Sequence, residues 1–320
     1  MTAVTPGAAS AAGERAATRL AAIDPLLPAP AAPAGCGAEL AVTRPDGSTA
    51  ALGTCEHWAG EPGSLDLTWG AVRRFQLTPQ VSGPDAAGAL DELLARWRDH
   101  LATVPEAAEE DTATVITWPT RDIDGPGPLL RHGLAPRAVI AARTAGRRGA
   151  TAVPVEPAVR IRQAVPADLD AVVQLGLETI RFDAHFGTVI ERPGTPVALR
   201  HEAGAVLAAP DPWVWLAERA GTPIGLLYAE RPEFAGWIAP MVRAEPVAYL
   251  ELMDVLPGER GRGVAAALTG QLHQAADESG VAVTLLHYEQ VNPLSGPFWS
   301  QQGYRPLWTS WEARPAGTLR

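Results

Sequence analysis

The strongest constraint on the fold is that the chain repeats itself. The segment "HGLAPRAVIAAR", His132 to Arg143, aligns with "QGYRPLWTSWEAR", Gln302 to Arg314, and the elements before each copy run in parallel. The second half opens on a strand, "VRIRQA", followed by helices "VPADLDAVVQLGLETIRF" and "VALRHEAGAVLAA". A hairpin about Gly221-Thr222-Pro223 and a third strand, "AYLELMDVLP", come next. Helix "GVAAALTGQLHQAADESG", strand "VAVTLLHYE", short helix "NPLSGPFWSQQGY" and strand "RPLWTSWEARP" close the half. The first half repeats this order with the hairpin "AELAVTRPDGSTAALGT", strand "AVRRFQLTP", helix "DAAGALDELLARWRDHLA" and strand "TATVITWP". It ends in a helix and closing strand within "GPLLRHGLAPRAVIAAR". Between the copies, Arg143 to Ala158 lacks periodicity and reads as a linker. The expectation is an α+β (mixed α/β) chain of two like domains, residues 1–150 and 151–320. Each should be a mixed, mostly antiparallel sheet flanked by helices. Ahead of them a loose Ala/Gly/Thr leader should tighten into a helix near Glu14 to Ala22.

Composition narrows the function classes. The chain has 320 residues, 47% hydrophobic and 19% charged, with a net charge of -10. It contains no lysine, so all 26 strongly basic residues are arginine. An acidic chain has no long-range attraction for a polyanion, so nucleic acid is not expected as a partner. Cys36 and Cys55 fit no metal spacing and read as buried free thiols. No apolar run of about 18 residues suggests a membrane span, and the N-terminus lacks a signal-peptide pattern. The expected location is cytoplasmic, as a monomer or homodimer.

One difference between the copies carries the chemistry. The second half joins strand to helix through "MDVLPGERGRGVAAALTGQL", Met253 to Leu272; the first half has only "QVSGPDA" there. A helix start offers unpaired N–H groups and partial positive charge. Glycines before it let the backbone wrap an anion. The amides from Arg260 to Ala265 would converge on a diphosphate, with Arg260 and Arg262 adding charge at the rim. A Walker loop needs lysine, which is absent, and a dinucleotide fingerprint belongs after a domain's first strand rather than its fourth. A nucleotide-bearing carrier gripped late in the fold remains.

These residues resemble the GNAT N-acetyltransferase superfamily. "VLPGERGRGVAAAL" is similar to its Arg/Gln-x-x-Gly-x-Gly/Ala diphosphate motif, here Arg260, Gly261, Arg262, Gly263, Val264 and Ala265. "NPLSGPFWSQQGYRP" is similar to its second motif. The element order from Val159 to Pro315 also fits, which implies two GNAT-like domains with a degenerate first copy. The resemblance implies acetyl-CoA or CoA as the bound carrier and an amine of a small molecule or peptide as acceptor. It implies that pantetheine slots beside the fourth strand, against Leu252, Met253, Asp254 and Val255, and that Asn292 bonds to the cofactor arm.

The family's usual general acid is a tyrosine at the position of Trp299, whose indole cannot release a proton at neutral pH; Trp299 is counted with the cofactor contacts. His287, on the strand before Asn292, is the expected base, and Tyr288 the substitute acid. Asp183 and His185, in "RFDAHFG", are expected to grip the acceptor amine. Asp254 and Glu251 read as structural carboxylates, and Trp213, Trp215, Trp237, Trp308 and Trp311 as core or interface. Two alternatives keep the fold: a non-catalytic acyl-CoA-binding or regulatory protein, or an acyltransferase fed by a carrier protein or aminoacyl-tRNA.

Overall fold

The computed structural model describes residues 6–30, 38–46, 48–147, 149 and 155–320. The leader is helical from further upstream than expected: α1 runs over Pro6–Ile23. Proline is at home in the first turn, where a missing N–H costs nothing. The first half continues with β1 (Ala38–Thr43), β2 (Thr49–Ala59), β3 (Arg73–Val81), α2 (Ala86–Leu101), β4 (Thr112–Pro119), α3 (Pro126–Arg131) and β5 (Ala135–Thr144). The second half follows in the expected order. It comprises β6 (Val159–Gln163), α4 (Leu169–Ala184), α5 (Thr195–Ala208), β7 (Val214–Arg219), β8 (Thr222–Glu230) and β9 (Val247–Val255). Then come α6 (Val264–Glu278), β10 (Val283–Glu289), α7 (Ser295–Gln301) and β11 (Arg305–Ala313). The β7–β8 turn sits one residue early, at Ala220-Gly221, with φ of 49 and 78. Two successive positive φ values make the tight hairpin turn that matches strand twist, and Thr222-Pro223 already belongs to β8.

All strands join one mixed sheet, ordered β1-β2-β3-β4-β11-β5-β10-β9-β8-β7-β6. The closing strands are exchanged between the halves. β11 pairs antiparallel with β4, Trp308 opposite Pro119, while β5 pairs antiparallel with β10, Val283 opposite Thr144. Each half thus lends the other the strand that completes its edge, which removes two exposed sheet edges at the centre.

Helices cover both faces. α2 places Leu90, Leu93, Leu94 and Trp97 on one helical stripe, each wholly buried, and each such burial contributes about 1.5–3 kcal/mol. On one face of the second half, α6 packs on Leu250, Val255 and Leu286, alongside Trp299 and Tyr304. On the opposite face α4 and α5 cover Val214, Leu216, Leu226 and Leu252, together with Leu65 from the first half. Trp213, Trp215, Trp308 and Trp311 are buried, but Trp237 is 56% exposed; the aromatic-core expectation fails at that residue. Cys55 is a buried free thiol, its pKa pushed up to about 12 by desolvation. Cys36 lies outside the described residues.

Candidate functional site

The site begins where β9 and β10 part. The parallel pair holds only from Val247 to Leu250 against Val283 to Leu286. Beyond that, β9 stays with β8 through Leu252, Met253, Asp254 and Val255, and β10 stays with β5 through His287, Tyr288 and Glu289. The strands diverge into a V whose inner edges carry unladdered backbone N–H and C=O groups, ready to pair with an extended amide-bearing ligand. The divergence has a local cause. A register slip opposite Tyr228 and Ala229 leaves Glu251 as an extra residue in β9, and such a bulge bends and twists its strand.

At the open end of the V, β9 turns through Pro257–Glu259 into α6. Gly261 and Gly263 take φ of 76 and 80, left-handed values that glycine adopts without strain. Among the described residues, no acceptor holds the backbone N–H of Gly261, Arg262, Gly263, Val264 or Ala265. A Cβ at Gly261 would meet nothing within 4 Å, so the mouth is clear. Free amides and a helix dipole aimed at one point make a concavity for a diphosphate. Arg260 serves the loop more than the rim. Its Nε donates to Val255 O at 2.8 Å, its guanidinium lies 4.8 Å from the Phe182 ring centre, and Nη2 is 3.6 Å from Asp254. Arg262 stays exposed, 3.4 Å from Glu156. Arg219 ties the turn to β7 by bonding both Glu259 and Glu156.

The first half repeats this parting of strands, with the start of its helix capped by the chain itself. β3 and β4 pair in parallel from Arg73 to Leu77 against Thr112 to Ile116, and α2 follows β3. Here, however, Asp85 accepts the Gly88 N–H at 3.0 Å, and Arg44 bonds Asp85 and Glu92. An aspartate cap of this kind contributes about 1 kcal/mol to a helix and occupies the place an anion would take. α1 lies across β2 and β3, its Arg19 bonded to Asp122 and to Asp124.

In the V, Tyr288 is half-buried on the α6 side, packing among the residues around Trp299, and burial raises its phenol. His287 faces the other side. It shares a 2.9 Å hydrogen bond between Nδ1 and the Tyr249 hydroxyl, and Trp237 lies parallel to it at 9° and 6.4 Å. The residue keeps an exposed edge, and the packing of Tyr249 and Trp237 about the ring lowers its pKa by desolvation. On the same side, Glu251 is pushed up to about 8, first by desolvation and then by Glu230, Glu202 and Asp66. Glu251 was read from sequence as structural; the bulge that turns it into this cleft leaves no local signal in the residues.

The expected cofactor arm contact, Asn292, donates to Asp183 at 3.3 Å and accepts the Leu294 N–H at 3.0 Å. Asp183 is thus held beside Asn292, and desolvation raises its carboxyl to about 6. Asp254 is buried beneath it, raised to about 6 by desolvation, with Oδ2 unpartnered. His185 turns back on its own helix, Nδ1 2.9 Å from Arg181 O, and is not brought to the other site residues. Trp299 is buried against Tyr304 and Phe298. No helix among the described residues is long and apolar enough to cross a membrane.

The acetyltransferase (GNAT) family profile matches residues 180–304, which contain the V, the loop and α7. No curated protein matches the chain. Among solved structures, a GCN5-related N-acetyltransferase from Sphaerobacter thermophilus is 16% identical, with a TM-score of 0.54, over 87% of this chain and 80% of its own. It shares the fold across both halves. A GCN5-related N-acetyltransferase from Kribbella flavida is 15% identical over 94% of each chain, with a TM-score of 0.45. An aminoglycoside N-acetyltransferase solved with CoA is 22% identical over 48% of this chain and 93% of its own, with a TM-score of 0.39.

Proposed function

We infer, from the premise that residues 180–304 form a domain of the acetyltransferase (GNAT) family, that the chain is an N-acyltransferase moving an acetyl or other acyl group from CoA to an amine. The observation that carries this reading is the pairing of a clear amide mouth at α6 with an open V between β9 and β10. The amides of Gly261 to Ala265 and the Arg262 side chain would hold the diphosphate of CoA. The inner edges of Leu252 to Val255 would hold pantetheine, with Asn292 near its arm. CoA supplies the acyl thioester. Residues 151–320 carry the chemistry, and residues 1–150 serve as a closed copy that braces the sheet and the acceptor side.

The chain's own groups supply the rest. The incoming amine must be neutral to attack. Glu251, with a pKa of about 8, is a competent proton acceptor near neutrality. His287, the sequence expectation, lies on the same side of the V with Nδ1 already engaged by the Tyr249 hydroxyl, and Glu251 is the acceptor this reading assigns. Glu251 therefore takes the ammonium proton, the neutral nitrogen bonds to the acyl carbon, the carbon–sulfur bond breaks with its electron pair on sulfur, and the second proton shed by the nitrogen passes to solvent, which restores the one Tyr288 gives up. Backbone N–H groups at the Glu251 bulge stabilise the charge growing on the acyl oxygen. Tyr288, on the α7 side of the V, replaces the position lost to Trp299 and returns a proton to the departing sulfur.

The reading is tested by thiol release from acetyl-CoA over a panel of primary amines with the full chain. At least one amine should release CoA thiol well above hydrolysis. Tight CoA binding with no release across the panel would instead support a non-catalytic acyl-CoA-binding role, which the buried Trp299 makes the second reading.

A further inference from the structure

Two aromatic rings and one hydrogen bond fix the ring of His287. Trp237 lies parallel to it at 6.4 Å and 9° and is itself tied down by donating to Glu230 at 2.8 Å. Tyr249 meets His287 edge-on at 5.7 Å and 71°, and meets Trp237 edge-on at 4.9 Å and 78°. The polar contact is the Tyr249 hydroxyl, 2.9 Å from Nδ1. The pair belongs to the place where the strands part. Tyr249 stands opposite Leu285, one rung before the parallel ladder ends at Leu250 and Leu286, and His287 is the first residue of β10 beyond it.

That hydrogen bond has a direction. Tyr249 is 6% exposed, and among the described residues its hydroxyl has no other partner. Burial raises its pKa, so the phenol keeps its proton. A phenol has one proton to give, and a buried donor left unpaired is costly. Were Nδ1–H to donate to the phenol oxygen, the phenol proton would be stranded. When the phenol donates, both groups are satisfied: Nδ1 accepts, and the ring proton sits on Nε2. A histidine that serves as a base has the reverse arrangement, with Nδ1–H given to a carboxylate or carbonyl and Nε2 open to take a proton. Among the described residues no carboxylate bonds this ring, and no partner holds Nε2. The residue keeps an exposed edge, so the Nε2–H is left for a ligand.

We propose that Tyr249 is a positioning residue that locks His287 with its proton on Nε2, so that His287 meets the substrates as a hydrogen-bond donor and not as a base. An N–H that points at a ligand repels an ammonium and binds a lone pair. It therefore leaves the ammonium proton to Glu251 and pairs with an oxygen of the bound substrates, a bond that strengthens if charge builds on that oxygen during the reaction. Trp237 and the Tyr249 ring keep the imidazole from turning over, which would exchange the two nitrogens. The role toward substrates rests on the acyltransferase reading; the lock itself does not, and it is read without turnover.

Nuclear magnetic resonance of the full chain, with the histidine ring nitrogens isotopically labelled, reads the tautomer directly. The signals lost in His287→Gln assign this residue among the seven histidines. At neutral pH its Nδ1 should be pyridine-like and its Nε2 pyrrole-like. Tyr249→Phe keeps the buried ring and removes only the hydroxyl, so the ratio of Nε2–H to Nδ1–H should fall about 3–10-fold. A parent ring protonated on Nδ1, or a ratio unchanged in Tyr249→Phe, overturns the proposal; the parent spectrum decides even if that variant fails to fold. Turnover gives the second readout. Glutamine retains an N–H donor but cannot act as a base, so His287→Gln should turn over about 10-fold faster than His287→Ala. Equal turnover in the two variants removes the donor role. The lock seen by resonance, with no thiol released from any amine, would sustain the tautomer and refute the acyltransferase reading instead.

Discussion

Gly263→Glu is expected to weaken CoA binding by about 100-fold or more, which corresponds to about 2.7 kcal/mol, while the chain stays folded. Three effects act together. Gly263 sits at φ 80, and a side chain there costs about 1–2 kcal/mol, which drives the loop toward another shape. The new carboxylate stands at the start of α6, where the free amides and the helix dipole would draw it in. Once there, it competes for the same N–H groups and repels phosphate. The first half already displays that outcome, with Asp85 bonded to the Gly88 N–H at the start of α2. The core contacts of α6, through Val264, Leu268, Leu272 and Ala276, do not depend on the loop, so a melting temperature near the parent's is the control. A variant that binds CoA like the parent would mean that phosphate is held somewhere else.

The second large effect is expected at Glu251. Glu251→Gln keeps the shape and removes the proton acceptor, so kcat should fall about 100-fold or more while CoA affinity holds. The pH profile gives the sign. With a pKa of about 8, the carboxyl is protonated and idle at lower pH, so kcat/KM for the amine should rise as pH rises through about 8. Glu251→Gln should lose that limb. Linkage supplies a readout independent of turnover. The folded carboxyl keeps a proton that the unfolded chain releases near 4.5. The folded state therefore binds more protons between those values, and stability falls as pH rises from about 4.5 to 8. Thermal melts of Glu251→Gln should show a shallower fall, most plainly from pH 6.5 to 8, above the range where the depressed histidines His273 and His287 act in the opposite direction. Full kcat with an unchanged limb would remove Glu251 from the mechanism.

Much of the second half was legible in order because each element carries its own local signal. Alternation marks β6, helical spacing marks α4, and the glycines before α6 mark the left-handed turn that opens it. What the residues could not state is which strands are neighbours. β5 and β11 alternate alike, and nothing in either says that it leaves its own half to pair with β10 or β4; that choice is made by contacts far apart in the chain. Glu251 and Trp237 escaped for related reasons. Alternation assigns faces only while register holds, and one extra residue in β9 redirects Glu251. Trp237 follows a rule of averages that places tryptophan inside, whereas its bond to Glu230 and its stack on His287 come from a loop whose path only tertiary packing sets. By contrast, the absence of a glycine-arginine loop before α2 is plain in the residues, and the structure places Asp85 there as a cap.

The measurement closest to the central claim is calorimetric titration of the full chain with CoA. One helix mouth is clear and its counterpart is capped by the chain's own aspartate, so the result expected is a single saturable site, one CoA per chain, weakened by inorganic diphosphate. Heat that fits no binding at all, or two equivalent sites per chain, would contradict the account.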